Sequence, residues 1–354
     1  TQNIILKDDA KILINIDSEK RIIEIEDNGT GITQDNAIAF LGNIADSMKD
    51  RNTNKGFRGI GRLGGLAYCK KLIFETSAVN EEVKTIMSWD ADSLHKILND
   101  SNDKSDAATV IDRIVDLNSQ KEDVNKHYFK VILQDIKQSN SDLLNKNLII
   151  EYLRQVAPVD FNKNKFLLSG KIKEKMMEHN QYLDTYKIYV NNDSLDKIYQ
   201  NALIDTNGSR YDEIGDIDYQ EFYNKNGDLL AWSWVGLSKF DKCIPEKNNP
   251  QRCIRLKKAN IQIGDSDTLN KLHKETRGNG YFVGQVVFIP QLGGQANELV
   301  EGERSEELIF LVPRVPECTV DSVNDISGFF EPEIQHRVNG FKESGNIINA
   351  IYCA

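Results

Sequence analysis

Apolar and polar positions alternate most cleanly near the start of the chain. In KILINID, residues 11–17, Ile12, Ile14 and Ile16 alternate with Leu13, Asn15 and Asp17. In RIIEIED, residues 21–27, Ile23 and Ile25 alternate with Glu24 and Glu26. Two period-2 runs separated by Ser18-Glu19-Lys20 predict a β-hairpin. The period then changes. Ala37, Ile38, Leu41, Ile44, Ala45 and Met48 follow helical spacing, and Thr33 is placed to cap that helix. A polar stretch from Lys49 to Asn54 leads into a glycine cluster, Gly56–Gly65, and LAYCKK after it reads as helical. Strand patterns return at 70–78 (KKLIFETSA) and 127–136 (HYFKVILQDI), while residues 90–127 are polar and without a clear period. Leu143 to Val156 predicts a helix, which Pro158 ends.

Beyond this point strands are expected at 186–190, 229–238, 253–263 and 281–289. The whole predicts an α+β chain: a first domain over 1–150, a second α+β domain over 151–290 and an unassigned segment over 291–354. The length of 354 residues agrees with two domains. No run approaches the roughly 18 apolar residues of a membrane span.

Composition narrows the function. The net charge of −10 lowers the prospect of nucleic-acid binding, although a local basic groove can survive inside an acidic total. The five cysteines form neither a CxxC pair nor a zinc spacing, so they read as reduced thiols of a cytoplasmic protein. His is scarce, with 5 in the chain and no HExxH, which leaves metal-hydrolase chemistry little to stand on.

Two clusters carry candidate chemistry. In DNGTGI, residues 27–32, strand periodicity puts Asp27 on the same face as Ile23 and Ile25, so a carboxylate ends a strand while pointing into the apolar layer. Such a group is costly to bury unless something hydrogen-bonds it. Gly29 and Gly31 remove side chains beside it and leave a flat slot with an acceptor at its floor. An adenine ring fits that slot, with its exocyclic amine donating to Asp27. The plainer reading is an Asp-Asn-Gly turn. In GFRGIGRLGG, residues 56–65, five glycines precede an apparent helix, a pattern whose backbone amides bind anions, helped by Arg58 and Arg62. The plainer reading is a surface loop.

Taken in order, the strand ending in DxGxG, the amphipathic helix and the glycine loop resemble the GHKL ATPases, the superfamily of gyrase, histidine kinases, the MutL repair proteins and the ninety-kilodalton heat-shock chaperone. The chaperone branch is most similar: Leu41, Gly42, Ile44, Ala45 and Ser47 give its LGxIAxS helix end, and GIGRLGGLAYC its loop. The close resemblance covers about residues 10–80, and a weaker one returns at 252–265. It implies a Bergerat-type two-layer fold and an ATP site using Mg²⁺. Asp27, Gly29 and Gly31 would hold adenine, Asn43 would line the sugar side, and Gly59, Gly61 and Gly64 would wrap the phosphates in a mobile lid. It further implies a second, transducer-like domain offering a basic residue to the γ-phosphate, for which Arg255, Lys257 and Lys258 are the candidates. Strand alternation favours Arg255 and Lys257; the plainer reading of these is a solvated strand face. A threonine on a later strand often supports the adenine-binding Asp in this superfamily, and Thr109 is the candidate.

Partners implied by the resemblance are an adenine nucleotide, a protein client and a second copy in a homodimer. Gly64-Gly65-Leu66 departs from the chaperone loop's usual GxG. The superfamily's catalytic Glu and its magnesium-holding Asn sit on a helix before the first strand. Nothing before Lys11 spells ExxxN, and Asn3 fits poorly, so that helix is expected to be missing and the chain as given to hydrolyse ATP poorly. The competing readings are a MutL-like DNA-repair ATPase and a non-catalytic nucleotide-binding scaffold.

Overall fold

A computed structural model describes residues 10–42, 61–183, 185–223, 227–237, 243–258, 260–266, 268–269 and 277–289. Tight contacts divide the chain into two units. Of the described residues, one takes those up to Tyr152 together with Tyr186–Leu195, and the other takes Leu153–Thr185 and those from Asp196 to residue 289.

The first unit is built on one sheet. The predicted hairpin is present as β1 (Lys11–Asp17) and β2 (Ile22–Asp27), paired antiparallel with Ile14 opposite Ile25. Arg21 makes the turn at φ 56°. A short α1 (Gln34–Ala37) follows Thr33 and continues as a π-helical turn, Ile38–Gly42, burying Ala37 and Leu41. The remainder of the expected helix lies outside the described residues, as do Asn43 and Gly59.

Gly61–Ala67 forms a 3₁₀-helix and β3 begins at once, at Cys69–Ser77. The helix expected over LAYCKK is thus confined to its first residues. From Leu72 onward the strand's alternation is plain, with Leu72, Phe74 and Thr76 buried and Ile73 and Glu75 half-buried between them. The polar region after it contains β4 (Val83–Asp90), α2 (Ala91–Asn99), α3 (Ala107–Ile114) and β5 (Val115–Lys121). Asp90 and Asp106 cap the two helices by accepting from Ser93 N and Thr109 N, both at 2.8 Å.

The strand β6 (Tyr128–Ile136) enters the middle of the sheet, and α4 (Lys146–Val156) and α5 (Ser169–Glu178) follow. The next two strands, β7 (Lys187–Val190) and β8 (Asp193–Ser194), complete an eight-stranded order β5-β4-β3-β6-β2-β1-β7-β8. Strand β7 lies parallel to β1, so residues 186–195 return to the first sheet although they follow the expected boundary near residue 150. One buried row crosses five strands of this sheet: Ile14, Ile25, Val131, Phe74 and Met87. It is the apolar floor that positions the site.

The second unit holds a small pair, β9 (Ala202–Ile204) and β10 (Arg210–Glu213). Its main sheet is built from β11 (Asp216–Tyr223), β12 (Leu229–Leu237), β13 (Cys253–Lys258), β14 (Ile261–Gln262) and β15 (Val283–Phe288), ordered β11-β12-β15-β13-β14. Both faces of this sheet are covered. Trp232, Trp234, Val283 and Val287 pack with Phe161, Phe166, Ile172 and Tyr199 on one side. Ala231, Val235, Ile254, Leu256 and Val286 pack on the other.

Candidate nucleotide site

Asp27 is the last residue of β2 and pairs with Ile12 on one side and Phe129 on the other. Phe129 in turn lies opposite Thr76, so Asp27, Phe129 and Thr76 form a row one pleat beyond the apolar row and on the same face. The carboxylate accepts from Gly29 N through Oδ1 at 2.7 Å. Its Oδ2 is buried and has no hydrogen-bond partner. Burial pushes the Asp27 carboxyl up to about 6, against the Gly29 N–H, which pulls it down; Glu26 nearby adds a smaller upward push.

The two glycines after Asp27 are required for different reasons. A Cβ on Gly29 would stand 2.6 Å from Asp27 Oδ1. Gly31 has φ +70°, and a Cβ there would stand 1.9 Å from Ser77 O, inside backbone that cannot yield. The chain at Gly31 is therefore pressed flat against the end of β3, and the turn leaves no side chain of its own at that point.

Asn28 is tied to Lys11 of β1, and four bonds fix residues 29–32 of the turn to the sheet. Besides the Gly29–Asp27 bond, His127 Nδ1 lies 2.7 Å from Gly29 O, and Val79 N donates to Thr30 O at 3.3 Å. Ile32 N donates to Thr76 Oγ1 at 2.8 Å, and that hydroxyl donates onward to Tyr128 O at 3.0 Å. Thr76, 1% exposed, is the threonine that supports the loop. Thr109, the candidate taken from the resemblance, sits instead in the first turn of the helix α3 and is exposed.

Asn43 and Gly59 lying outside the described residues, the other proposed site residues fall in two places. Gly61 and Gly64 lie in the 3₁₀-helix, whose end is tied down: Lys137 Nζ donates to Ala67 O at 3.0 Å, and His95 Nε2 lies 3.2 Å from Leu66 O. Gly65 packs so closely that a Cβ would stand 2.8 Å from Leu72 Cδ1. Arg255, Lys257 and Lys258 lie on β13 in the second unit. The solvated face expected there is absent: Arg255 is 3% and Lys257 1% exposed. Arg255 donates to Gln155 Oε1, Gln262 Oε1 and Pro250 O, and Lys257 Nζ donates to Gln155 O at 2.8 Å. Burial drives the Lys257 amine well below its usual range, and the neighbouring cations Lys197 and Arg255 push it further. Among the described residues no cluster of His, Cys, Asp or Glu could hold a metal ion.

His127 was not legible as part of the site, and Thr76 only as a strand residue near the pocket without an assigned role, because each reaches the turn from far along the chain. The signal for Thr76 was its place on the row of Asp27, which becomes visible only once β2, β6 and β3 are in register.

Residues 3–144 match the family model described as histidine kinase-, DNA gyrase B- and HSP90-like ATPase. Over 245 residues, 63% of the chain, the sequence is 26% identical to Chaperone protein HtpG of Wigglesworthia glossinidia brevipalpis, and the match covers 33% of that protein's length. The chain thus spans about a third of the curated relative it matches. The matched family model takes in the whole sheet segment that carries Asp27, the glycine turn and Thr76. Residues 3–144 are thus similar to the GHKL ATPases, and the longer match places the likeness on the side of the heat-shock chaperone.

Proposed function

We propose that this protein binds ATP at the Asp27 turn and hydrolyses it to drive a chaperone-like conformational clamp. The observation that carries the reading is Asp27 Oδ2, a buried acceptor without a partner beside a backbone surface kept bare at Gly31. A buried polar atom left unpaired costs about 1–3 kcal/mol. An adenine amine supplies the missing donor; the guanine carbonyl at the same position would meet an acceptor with an acceptor. Asn43 is proposed for the sugar side, and Gly59, Gly61 and Gly64 for the phosphates. Bound ATP with Mg²⁺ supplies the phosphoryl group, and the chain's own task is to hold and orient the base.

Arg255, Lys257 and Lys258 stay the proposed candidates for the terminal phosphate; the first two are buried and donate to carbonyls and amides of their own unit, and Lys258 is half-buried. A protein client, a homodimer and a cytoplasmic setting belong to the same proposal, supported by the similarity to a protein named as a chaperone. No described helix is long and apolar enough to cross a membrane.

Thermal unfolding with and without MgATP, paired with a steady-state hydrolysis assay, tests the reading. ATP and ADP should raise the midpoint, and the Asp27→Ala variant should lose the rise. A nucleotide-dependent rise without turnover would leave a binding scaffold, and a salt-sensitive shift of DNA would favour the repair-type relative.

A further inference from the structure

Gly29 holds two of the four bonds that fix residues 29–32 of the turn. Its N–H holds Asp27 Oδ1 and its C=O receives His127 Nδ1, both at 2.7 Å. A carbonyl oxygen only accepts, so the Nδ1 of His127 carries the proton in the neutral ring as well as in the cation. Glycine has the widest backbone freedom of any residue, and holding it on both sides removes that freedom. His127 also stands directly before Tyr128, whose carbonyl receives the Thr76 hydroxyl, and two residues before Phe129, the partner of Asp27 in the ladder. One short stretch at the start of β6 thus sets the turn from two directions.

We propose that His127 is a positioning residue of the adenine site: by donating to Gly29 O it fixes the backbone of Gly29, whose N–H engages Asp27 Oδ1, and so reserves Oδ2 as the acceptor for the base. The proposal rests on the reading of Asp27 as the adenine acceptor, but its first link, from His127 through Gly29 to Asp27, exists without any ligand. The Gly29 N–H is the group that holds the Asp27 carboxyl down against the effect of burial. Loosening Gly29 therefore makes Asp27 harder to ionise, and a protonated Oδ2 is a donor that cannot receive the adenine amine.

The test uses the full chain and three forms: parent, His127→Ala and His127→Asn. The Asn amide nitrogen can stand close to where Nδ1 stood, so His127→Asn keeps the bond and His127→Ala loses it. Carboxyl NMR titration of Asp27 in ligand-free protein is the first readout, and ATP calorimetry between pH 5 and 8 is the second. In His127→Ala, Asp27 should titrate at a higher pH than in the parent and ATP should bind about tenfold more weakly. The acid limb of ATP binding should move upward with it. His127→Asn should return both readouts to near the parent. If Asp27 titrates identically in His127→Ala and the parent, the proposal is overturned whether or not ATP binds. If Asp27 shifts as expected while the parent ignores ATP, the positioning role stands and it is the adenine reading that fails. Equal losses in His127→Ala and His127→Asn would overturn the proposal too, because the bond would then not be what matters.

Discussion

Two places in this molecule bury charge, and they do so in opposite ways. At the end of β2, Asp27 has one oxygen held by Gly29 N–H and the other buried without a partner. On β13, Arg255 and Lys257 are more deeply buried, yet their donors are spent on Gln155, Gln262 and Pro250, with only Arg255 Nε left over. Both departures from the usual exposure of charged residues would mark a functional site if burial alone decided. The share of hydrogen-bonding capacity left unmet separates them: one of two carboxylate oxygens at Asp27, against one of three guanidinium nitrogens at Arg255. Asp27 retains an acceptor that a ligand can satisfy. Lys257 acts on a carbonyl near the end of α4, where helical carbonyls lack intrahelical partners and a cation is favourable.

The sharpest way to break the comparison is at Gly31. Gly31→Ala should cost about 2–4 kcal/mol, since the new Cβ meets Ser77 O and the residue keeps a left-handed conformation. A shift of the denaturant midpoint measures it. A near-silent substitution would mean that the turn is not pressed against β3 and that no flat surface is built there.

Next in size is the pH response of ligand-free protein. The folded Asp27 carboxyl is raised from 3.8 to about 6. Its protonated form is therefore favoured by folding, and the associated stability is complete below about pH 4 and lost as pH rises through about 6. Asp27→Asn should flatten the stability profile across that window and leave the alkaline side higher than in the parent. ATP affinity in the parent should run the other way and fall on acidification through the same window, because the base needs the ionised acceptor.

The second unit sharpens the contrast with a smaller effect. Lys257→Met keeps the volume while removing a buried amine that is already easily neutralised, so stability should change by no more than about 1 kcal/mol or rise. Lys257→Ala leaves a cavity that Met would fill and should cost about 2–4 kcal/mol. A parental turnover rate in Lys257→Met would support a structural role for this lysine.

Much of the first sheet was legible because its strands have one wet and one dry face. The alternation of Ile14, Ile23, Ile25 and Leu133 marks β1, β2 and β6 almost to the residue. Strand β5 escaped because it is an edge strand with nearly every residue exposed, so no period survives. Helices α2 and α3 were signalled only by their capping aspartates, Asp90 and Asp106. Strand β7 was legible as a strand, but its return to β1 is a long-range parallel pairing that no local pattern encodes. On β13 the alternation of Ile254 and Leu256 with Arg255 and Lys257 suggested one wet face, whereas a second layer covers the basic side. The site followed the same division. Asp27 and its glycines are one contiguous turn and could be read directly; His127 and Thr76 join them only through the sheet register.

The most direct test of the central claim is isothermal calorimetry of ATP and GTP against the protein and its Asp27→Ala variant at neutral pH. The account predicts that ATP binds at least tenfold more tightly than GTP and that the substitution lowers ATP affinity at least tenfold, removing most of the preference. Equal affinity for the two nucleotides in the parent, or an Asp27→Ala variant that binds ATP as the parent does, would contradict it.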